Sequence, residues 1–149
     1  MNYRHTQIGK IIPGAMAIII ILMLLYLEGV RATSSLEIPF LFIVLITLSF
    51  FVSLTTEIGG AKLRCYFGFG LIRRTIALSD ICEVRSVRNP WFSGWGIRWR
   101  PGGYWLWNVS GYQAVELVFN NGRRFRIGTD EPDALVRAIE INKNPDHLY

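Results

Sequence analysis

The residues that could do chemistry are few and widely separated. Histidine occurs only at His5 and His147, near the two ends of the chain, and Cys65 and Cys82 do not form a CxxC pair. A metal site needs three or four converging donors, and catalysis needs a nucleophile beside a base, a pair of carboxylates or a metal. The sequence therefore predicts a protein that is not an enzyme, with no catalytic residue, no metal site and no cofactor.

The remaining reactive groups have structural interpretations. Asp80, Glu83 and Glu116 lie far apart on predicted strands and turns, so we expect them to be solvated surface groups. Cys65 and Cys82 are expected to be small apolar residues of strands rather than a disulfide. The glycines of the segment 68–70 lack the lysine of a phosphate-binding loop and are typical of a hairpin turn.

The strongest functional signal is a tryptophan-rich stretch. All five tryptophans lie between Trp91 and Trp107, and Arg98 and Arg100 alternate with apolar residues, so one face of a strand there is basic. Two interpretations are open: the tryptophans fill a core or rest near a membrane surface, or the stretch binds a peptide, a partner protein or an anionic head group. With two arginines of a neighbouring hairpin, the candidate binding surface is Arg73, Arg74, Trp91, Trp95, Arg98, Arg100, Trp105 and Trp107.

The elements that must position this surface are mainly strands. Alternation of apolar and polar residues between positions 61 and 127 predicts about seven short strands, punctuated by turn residues such as Pro101-Gly102-Gly103 and Asn120-Asn121-Gly122. A cap at Thr129 or Asp130 and apolar residues at helical spacing then predict one amphipathic helix. We therefore predict a mainly-β domain over residues 57–142, followed by a tail over residues 143–149.

Several short motifs of this domain carry a family resemblance. In chain order they are Arg88-Asn89-Pro90-Trp91, Gly94-Trp95-Gly96-Ile97-Arg98, Asn108-Val109-Ser110-Gly111, Ala114-Val115-Glu116 and Arg126-Ile127-Gly128-Thr129-Asp130-Glu131-Pro132. Over residues 56–141 the chain resembles the bacterial pleckstrin-homology-like domain. The resemblance implies seven antiparallel strands in two orthogonal sheets with a capping C-terminal helix, and frequent attachment to transmembrane helices. It implies no particular activity.

Two uncharged apolar runs precede the predicted domain. The first run extends from Ile11 to Leu27 and the second from Ile38 to Thr56, and neither shows the polar stripe of a helix packed on a protein core. Both are long enough for a hydrocarbon layer of about 30 Å. We expect a transmembrane hairpin over residues 11–56 behind a cytoplasmic tail over residues 1–10. The alternatives are core helices and, for the first run, a cleaved signal peptide.

The distribution of Lys and Arg predicts the orientation of that hairpin. Arg4 and Lys10 precede the first run and a basic segment follows the second, whereas the intervening loop contains only Arg31. The positive-inside rule then places both termini in the cytoplasm of a bacterial inner-membrane, multi-pass protein.

The expected function is therefore a membrane-anchored, non-catalytic binding or scaffold module. Its partners would be the lipid bilayer and either another protein or a second copy of the chain. The alternative is a peripheral sensor of anionic lipid head groups that uses the arginine-rich hairpins. We expect no nucleic acid as a partner, because the net charge of +4 over residues 57–149 is modest for a membrane-tethered domain.

Overall fold

The structure is a computed structural model that describes residues 3–29 and 37–143. It contains three α-helices, which are α1 (Ile11–Gly29), α2 (Glu37–Ser49) and α3 (Pro132–Lys143). The described strands number nine: β1 (Tyr3–Ile8), β2 (Ser53–Gly59), β3 (Lys62–Phe67), β4 (Ile72–Ala77), β5 (Ile81–Arg88), β6 (Gly96–Arg100), β7 (Tyr104–Asn108), β8 (Gln113–Phe119) and β9 (Arg124–Gly128).

The strands form two sheets. The first sheet has the order β1-β2-β3-β4, and all of its neighbouring strands are antiparallel. The second has the order β5-β8-β9-β7-β6, in which β7 and β9 run parallel and the other pairs are antiparallel. Strands β3 to β9 lie close to the positions that the alternation predicted, and β3 shows the alternation of exposed and buried residues most clearly.

Side chains from both sheets meet in one hydrophobic core. Phe67 of the first sheet packs against Trp107 of the second with ring centroids 5.1 Å apart, and Trp107 packs edge-on against Phe125 at 5.6 Å. Helix α3 adds Leu135 and Ile139, both fully buried, to the same core. The amphipathic spacing that predicted this helix is therefore the spacing of its buried residues.

The start of α3 is fixed by a local hydrogen bond. The hydroxyl oxygen of Thr129 accepts the backbone N–H of Glu131 at 3.1 Å, just before Pro132 opens the helix. Proline is tolerated at the first helical position because its missing N–H would have no intrahelical partner there. The helix then runs over β5 and β8, which places it against the second sheet.

The predicted transmembrane hairpin is wrong. Among residues 3–29 and 37–143, no helix has both the length and the apolar character needed to cross a bilayer. The clearest departure is in the second run, where α2 ends at Ser49 after 13 residues. At 1.5 Å per residue this helix is about 20 Å long, well short of a hydrocarbon layer of about 30 Å. The multi-pass, inner-membrane localisation with two cytoplasmic termini is overturned with it.

The end of the second run forms a strand instead of helix. Strand β2 contains Thr55, Thr56 and Ile58, whose β-branched side chains favour extended backbone. It lies between β1 and β3, so both of its edges are hydrogen-bonded. Residues 3–8, which the sequence analysis assigned to a tail, supply β1.

The two N-terminal helices pack on each other and are joined to the first sheet. The N–H of Gly9, between β1 and α1, donates to the carbonyl of Val52, just before β2, at 2.7 Å. Apolar side chains such as Ile18, Leu25 and Phe40 remain exposed on these helices. The buried core consists of residues from the sheets, their connections and α3. The connection over residues 30–36 lies outside the described residues.

Two tryptophans of the candidate surface provide a test of this core. Replacement of Trp107 by alanine should lower the free energy of unfolding by about 3–5 kcal/mol, because it removes a ring packed between two buried rings. Replacement of Trp91, which is 79% exposed, should change it by less than about 0.5 kcal/mol. Equilibrium unfolding in urea measures both values, and equal losses in the two variants would contradict this placement of the tryptophans.

Candidate functional site

The candidate site surrounds β6, an edge strand of the second sheet. Among the described strands, β6 pairs only with β7, so its other edge is open. The two strands are joined by a tight turn in which Gly103 donates its N–H to the carbonyl of Arg100 at 3.1 Å. Gly102 and Gly103 both have positive φ, which favours glycine at these positions. The Arg124 guanidinium donates to the carbonyl of Gly102 and holds the turn from β9.

The connection over residues 89–95, between β5 and β6, lies on the outer face of the second sheet. Tyr104 and Leu106 point to this face and are nearly or fully buried, yet neither belongs to the hydrophobic core between the sheets. The Asn108 amide donates to the carbonyl of Gly94 at 3.4 Å, and the Arg100 guanidinium lies 5.1 Å from the centre of the Phe92 ring. The sheet is therefore covered on both faces near β7.

A buried ion cluster holds this connection in place. The Glu116 side chain on β8 is fully buried and accepts hydrogen bonds from Arg85 on β5 and from Arg126 on β9, the latter at 2.6 Å. Arg126 also donates to the side-chain oxygen of Asn89 at 3.0 Å and to the hydroxyl of Tyr104 at 3.2 Å. One guanidinium thus links the sheet, the carboxylate and the start of the connection.

The two arginines keep Glu116 ionised despite its burial. Burial acts to raise the pKa of Glu116, but the hydrogen bonds and charges of Arg85 and Arg126 outweigh it, so its pKa lies below the ordinary value. Glu116 therefore holds a negative charge at neutral pH. The expectation that Glu116 is a solvated surface group is wrong, whereas Asp80 and Glu83 are exposed as predicted.

Exposed aromatic side chains lie on both sides of β6. On the outer side, Trp91 is 79% and Phe92 57% exposed, and their rings meet edge-on with centroids 5.9 Å apart. On the other face of the strand, Trp99 and Trp105 are directly opposite each other across the hairpin and are 61% and 46% exposed. The open edge is thus flanked by a pair of aromatic residues on each face.

Polar atoms that lack partners concentrate in the same segment. The amide nitrogen of Asn89, the hydroxyl of Ser93 and the Nε of Arg100 are buried without a hydrogen-bond partner in the described part of the chain. All three can donate a hydrogen bond, and two of them can only donate. The segment therefore lacks acceptors rather than donors.

The two predicted surface arginines of the first sheet lie on its opposite faces. Arg73 is exposed on the outer face of the first sheet, near Arg64 and Tyr66. Arg74 on the opposite face lies over the Phe125 ring at 4.4 Å, and burial together with the nearby Arg123 lowers its pKa.

The remaining tryptophans also differ in their surroundings. Trp95 is half-buried, and its carbonyl accepts a hydrogen bond from Arg98 at 3.1 Å, whereas Trp107 belongs to the core. The structure thus places Trp91, Trp95, Arg98, Arg100 and Trp105 on or beside the hairpin of β6 and β7, and separates Arg73, Arg74 and the core residue Trp107 from them. Sequence reasoning missed Phe92 as a surface aromatic, although its neighbour Trp91 was found.

The described residues contain no group of three or more His, Cys, Asp or Glu side chains that could hold a metal. Cys65 and Cys82 are both free, and burial raises the pKa of Cys65 to about 12, so its thiol is protonated at neutral pH. His5 contacts Asp130 at 2.6 Å and Glu131 at 3.5 Å. His147 lies outside the described residues.

Comparisons of the chain with family models, with curated proteins and with solved structures found no match. The similarity to the pleckstrin-homology-like family therefore stays a hypothesis.

The ion cluster predicts a specific dependence of stability on pH. Glu116→Gln should lower the free energy of unfolding at pH 7 by about 3 kcal/mol, because two arginines lose a buried charged partner. The pKa of Glu116 is lower in the folded protein than in the unfolded chain, so its charge stabilises the fold fully at pH values above the unfolded pKa. That stabilisation is lost as the pH falls from the unfolded pKa through the folded pKa. The difference in the free energy of unfolding between the native protein and Glu116→Gln should therefore become smaller below about pH 4.3.

Urea unfolding at a series of pH values measures this gap. Glu140→Gln, which changes an exposed carboxylate on α3, is the matched control and should follow the native protein throughout. If the difference in the free energy of unfolding between the native protein and Glu116→Gln stays constant into the acid range, Glu116 is not ionised in the folded protein.

Proposed function

We propose that this chain is a non-catalytic binding module that takes up an extended acidic peptide segment of another protein as an additional strand beside β6. One observation carries the proposal: β6 is an open edge flanked by exposed aromatic pairs on both faces and by Arg98 and Arg100. Addition of a strand to a sheet edge is a common mode of peptide recognition, in which main-chain hydrogen bonds supply affinity.

The backbone of β6 supports this mode of binding. In an edge strand, alternate residues direct their N–H and C=O groups away from the sheet, where they can pair with another chain. The strand has five residues, enough to pair with a short segment, and the turn after it is fixed by hydrogen bonds. An incoming strand would therefore meet an ordered edge.

The flanking side chains support an extended partner. A strand added beside β6 would project its side chains alternately to the two faces of the sheet. On the outer face they would meet Trp91 and Phe92, and on the other face Trp99 and Trp105. Aromatic rings of this kind bury about 150–250 Å² each and dominate binding energies at interfaces.

The charges around β6 favour acidic residues in the partner. Residues 88–115 contain Arg88, Arg98 and Arg100 and no acidic residue. The same charges oppose pairing of β6 with β6 of a second copy, because that arrangement would bring four arginines together.

The edges of β5 and β4 are less suited to this role. The edge of β5 lies beside α3, and the ammonium of Lys143 donates to the carbonyl of Cys82 on that strand at 2.9 Å. The edge strand β4 directs Arg74 onto the core ring of Phe125. Neither strand has an aromatic pair on each face, which is the distinguishing feature of β6.

The alternative, recognition of anionic lipid head groups, receives less support from the geometry. It requires Arg73, Arg74, Arg98 and Arg100 to converge on phosphate groups. Arg73 and Arg74 lie on opposite faces of the first sheet, and Arg98 and Arg100 belong to the second sheet. Binding to anionic vesicles that depends on Arg73 would favour this alternative.

A direct test uses a fluorescent peptide of about eight alternating valine and glutamate residues, long enough to cover one strand. The double variant Arg98→Glu with Arg100→Glu should weaken binding at least about tenfold, because attraction across the edge becomes repulsion. Fluorescence anisotropy measures the affinity. Arg137→Glu, on the exposed face of α3, is the control and should bind like the native chain.

A charge-swapped peptide separates loss of binding from loss of folding. A peptide with lysine in place of each glutamate should bind the double variant more tightly than the native chain. Equal affinities of native and double-variant chains for both peptides would refute the proposed role of β6.

A further inference from the structure

An apolar surface lies at one end of the first sheet, where its strands join α1, α2 and the turn between β3 and β4. Strand β1 ends there at Ile8, just before α1, and β2 begins there shortly after α2. The register places the last pair of β3 and β4, Phe67 and Ile72, at the same end. Ile8 is exposed, and Phe69 and Leu71 in the turn are 86% and 74% exposed. Exposed apolar side chains clustered in this way mark an interaction surface.

The turn between β3 and β4 is held in a fixed position. The N–H of Gly68 donates to the carbonyl of Ser53 at 2.9 Å, which ties the turn to the start of β2. The Phe69 ring meets the ring of Phe50, just after α2, edge-on with centroids 6.5 Å apart. The turn and the adjoining end of α2 therefore form one continuous apolar surface on an ordered backbone.

The two helices beside this turn indicate what covers the surface. Among the described side chains of α1 and α2, none is buried. On α1 the consecutive residues Ile20, Ile21 and Leu22 are all exposed, although successive side chains point in directions about 100° apart. A protein partner would cover one side of such a helix, whereas lipid chains cover every side.

The hydroxyl groups of α2 are satisfied within the helix. The Thr47 hydroxyl donates to the carbonyl of Ile43 at 2.7 Å, and the Ser49 hydroxyl donates to the carbonyl of Ile46 at 2.6 Å. Hydrocarbon offers no hydrogen-bond partner, so a hydroxyl in contact with it has to bond to protein. Helix α1 has no charged residue before Glu28. These features favour lipid as the surroundings of this end of the sheet.

The order of residues along β4 matches the layers of a bilayer surface. Leu71 lies in the turn, and Arg73, the second residue of β4, pairs with Tyr66 of β3. At about 3.4 Å per residue, Arg73 lies about 7 Å from Leu71 along the strand. Amphipathic helices on membranes bury their apolar faces to a similar depth, about 5–10 Å. Tyrosine is enriched at the head-group level, and arginine is attracted to lipid phosphate.

We infer that this end of the first sheet binds the surface of a lipid bilayer. Phe69 and Leu71 enter the boundary of the acyl chains, and Tyr66 and Arg73 lie at the phosphate groups. The contact needs no helix that crosses the bilayer, and it is made to the surface rather than to one kind of head group. It uses none of the residues that flank β6, so it does not depend on the proposed peptide binding.

The test measures the depth of a fluorescent label on the full-length chain bound to phosphatidylcholine vesicles. Cys82→Ser removes the exposed thiol and Cys65 is buried, so Phe69→Cys can be labelled alone with nitrobenzoxadiazole. The matched control is Lys62→Cys, at the start of β3 and about 17 Å from the other end of that strand. Lipids with a spin label in the acyl chain should quench the label at position 69 at least about twofold more strongly than the label at position 62.

A second pair of variants keeps the label at position 69. Leu71→Asp changes an exposed residue outside the strands and should reduce the quenching at least about twofold, because a carboxylate resists entry into hydrocarbon. Thr75→Asp, at an exposed position of β4 about 14 Å farther from the turn, should leave the quenching unchanged.

Three results would overturn the inference. The first is equal or absent quenching at positions 69 and 62, and the second is equal quenching in Leu71→Asp and Thr75→Asp. The third is a blue shift of the label at position 69 that follows protein concentration without vesicles and is insensitive to spin-labelled lipid. That shift would assign the surface to a second copy of the chain.

Discussion

The arrangement of the second sheet depends on one buried carboxylate. Glu116 lies between Arg85 and Arg126 in a row that crosses three neighbouring strands, because the three residues are register partners. A buried charge without partners would destabilise the fold, so both guanidinium groups are required where they are. Arg126 extends the row to Asn89 and Tyr104, and thereby attaches the connection of residues 89–95 to the outer face of the sheet.

This attachment determines what the surface near β6 presents. With the connection on the sheet, Tyr104 and Leu106 are covered, while Trp91 and Phe92 remain exposed beside the strand. The connection covers the face of the sheet but leaves the edge of β6 open. The proposed peptide binding rests on this open edge, which has an aromatic pair on each face and arginines along the strand.

Much of the β-domain could be predicted from local patterns, and the rest depended on long-range contacts. Alternation located β3 to β9, and helical spacing located α3. Strand β1 was missed because its largely polar residues gain their partner from β2, about fifty positions later in the chain. The run that predicted a second membrane span contains both α2 and β2, and apolar composition alone does not mark that boundary. Sequence could not show that Glu116 is buried or which tryptophans are exposed, because both depend on the segment that covers the sheet.

Amide hydrogen exchange at β6, with and without the alternating valine–glutamate peptide, tests the central claim most directly. If the peptide adds a strand, alternate amides of β6 that point away from β7 should exchange more slowly when it is bound, because they become donors in a new ladder. The amides of β4, another edge strand, should keep their rates. Unchanged exchange along β6 under saturating peptide, or equal slowing at β4, would contradict the account.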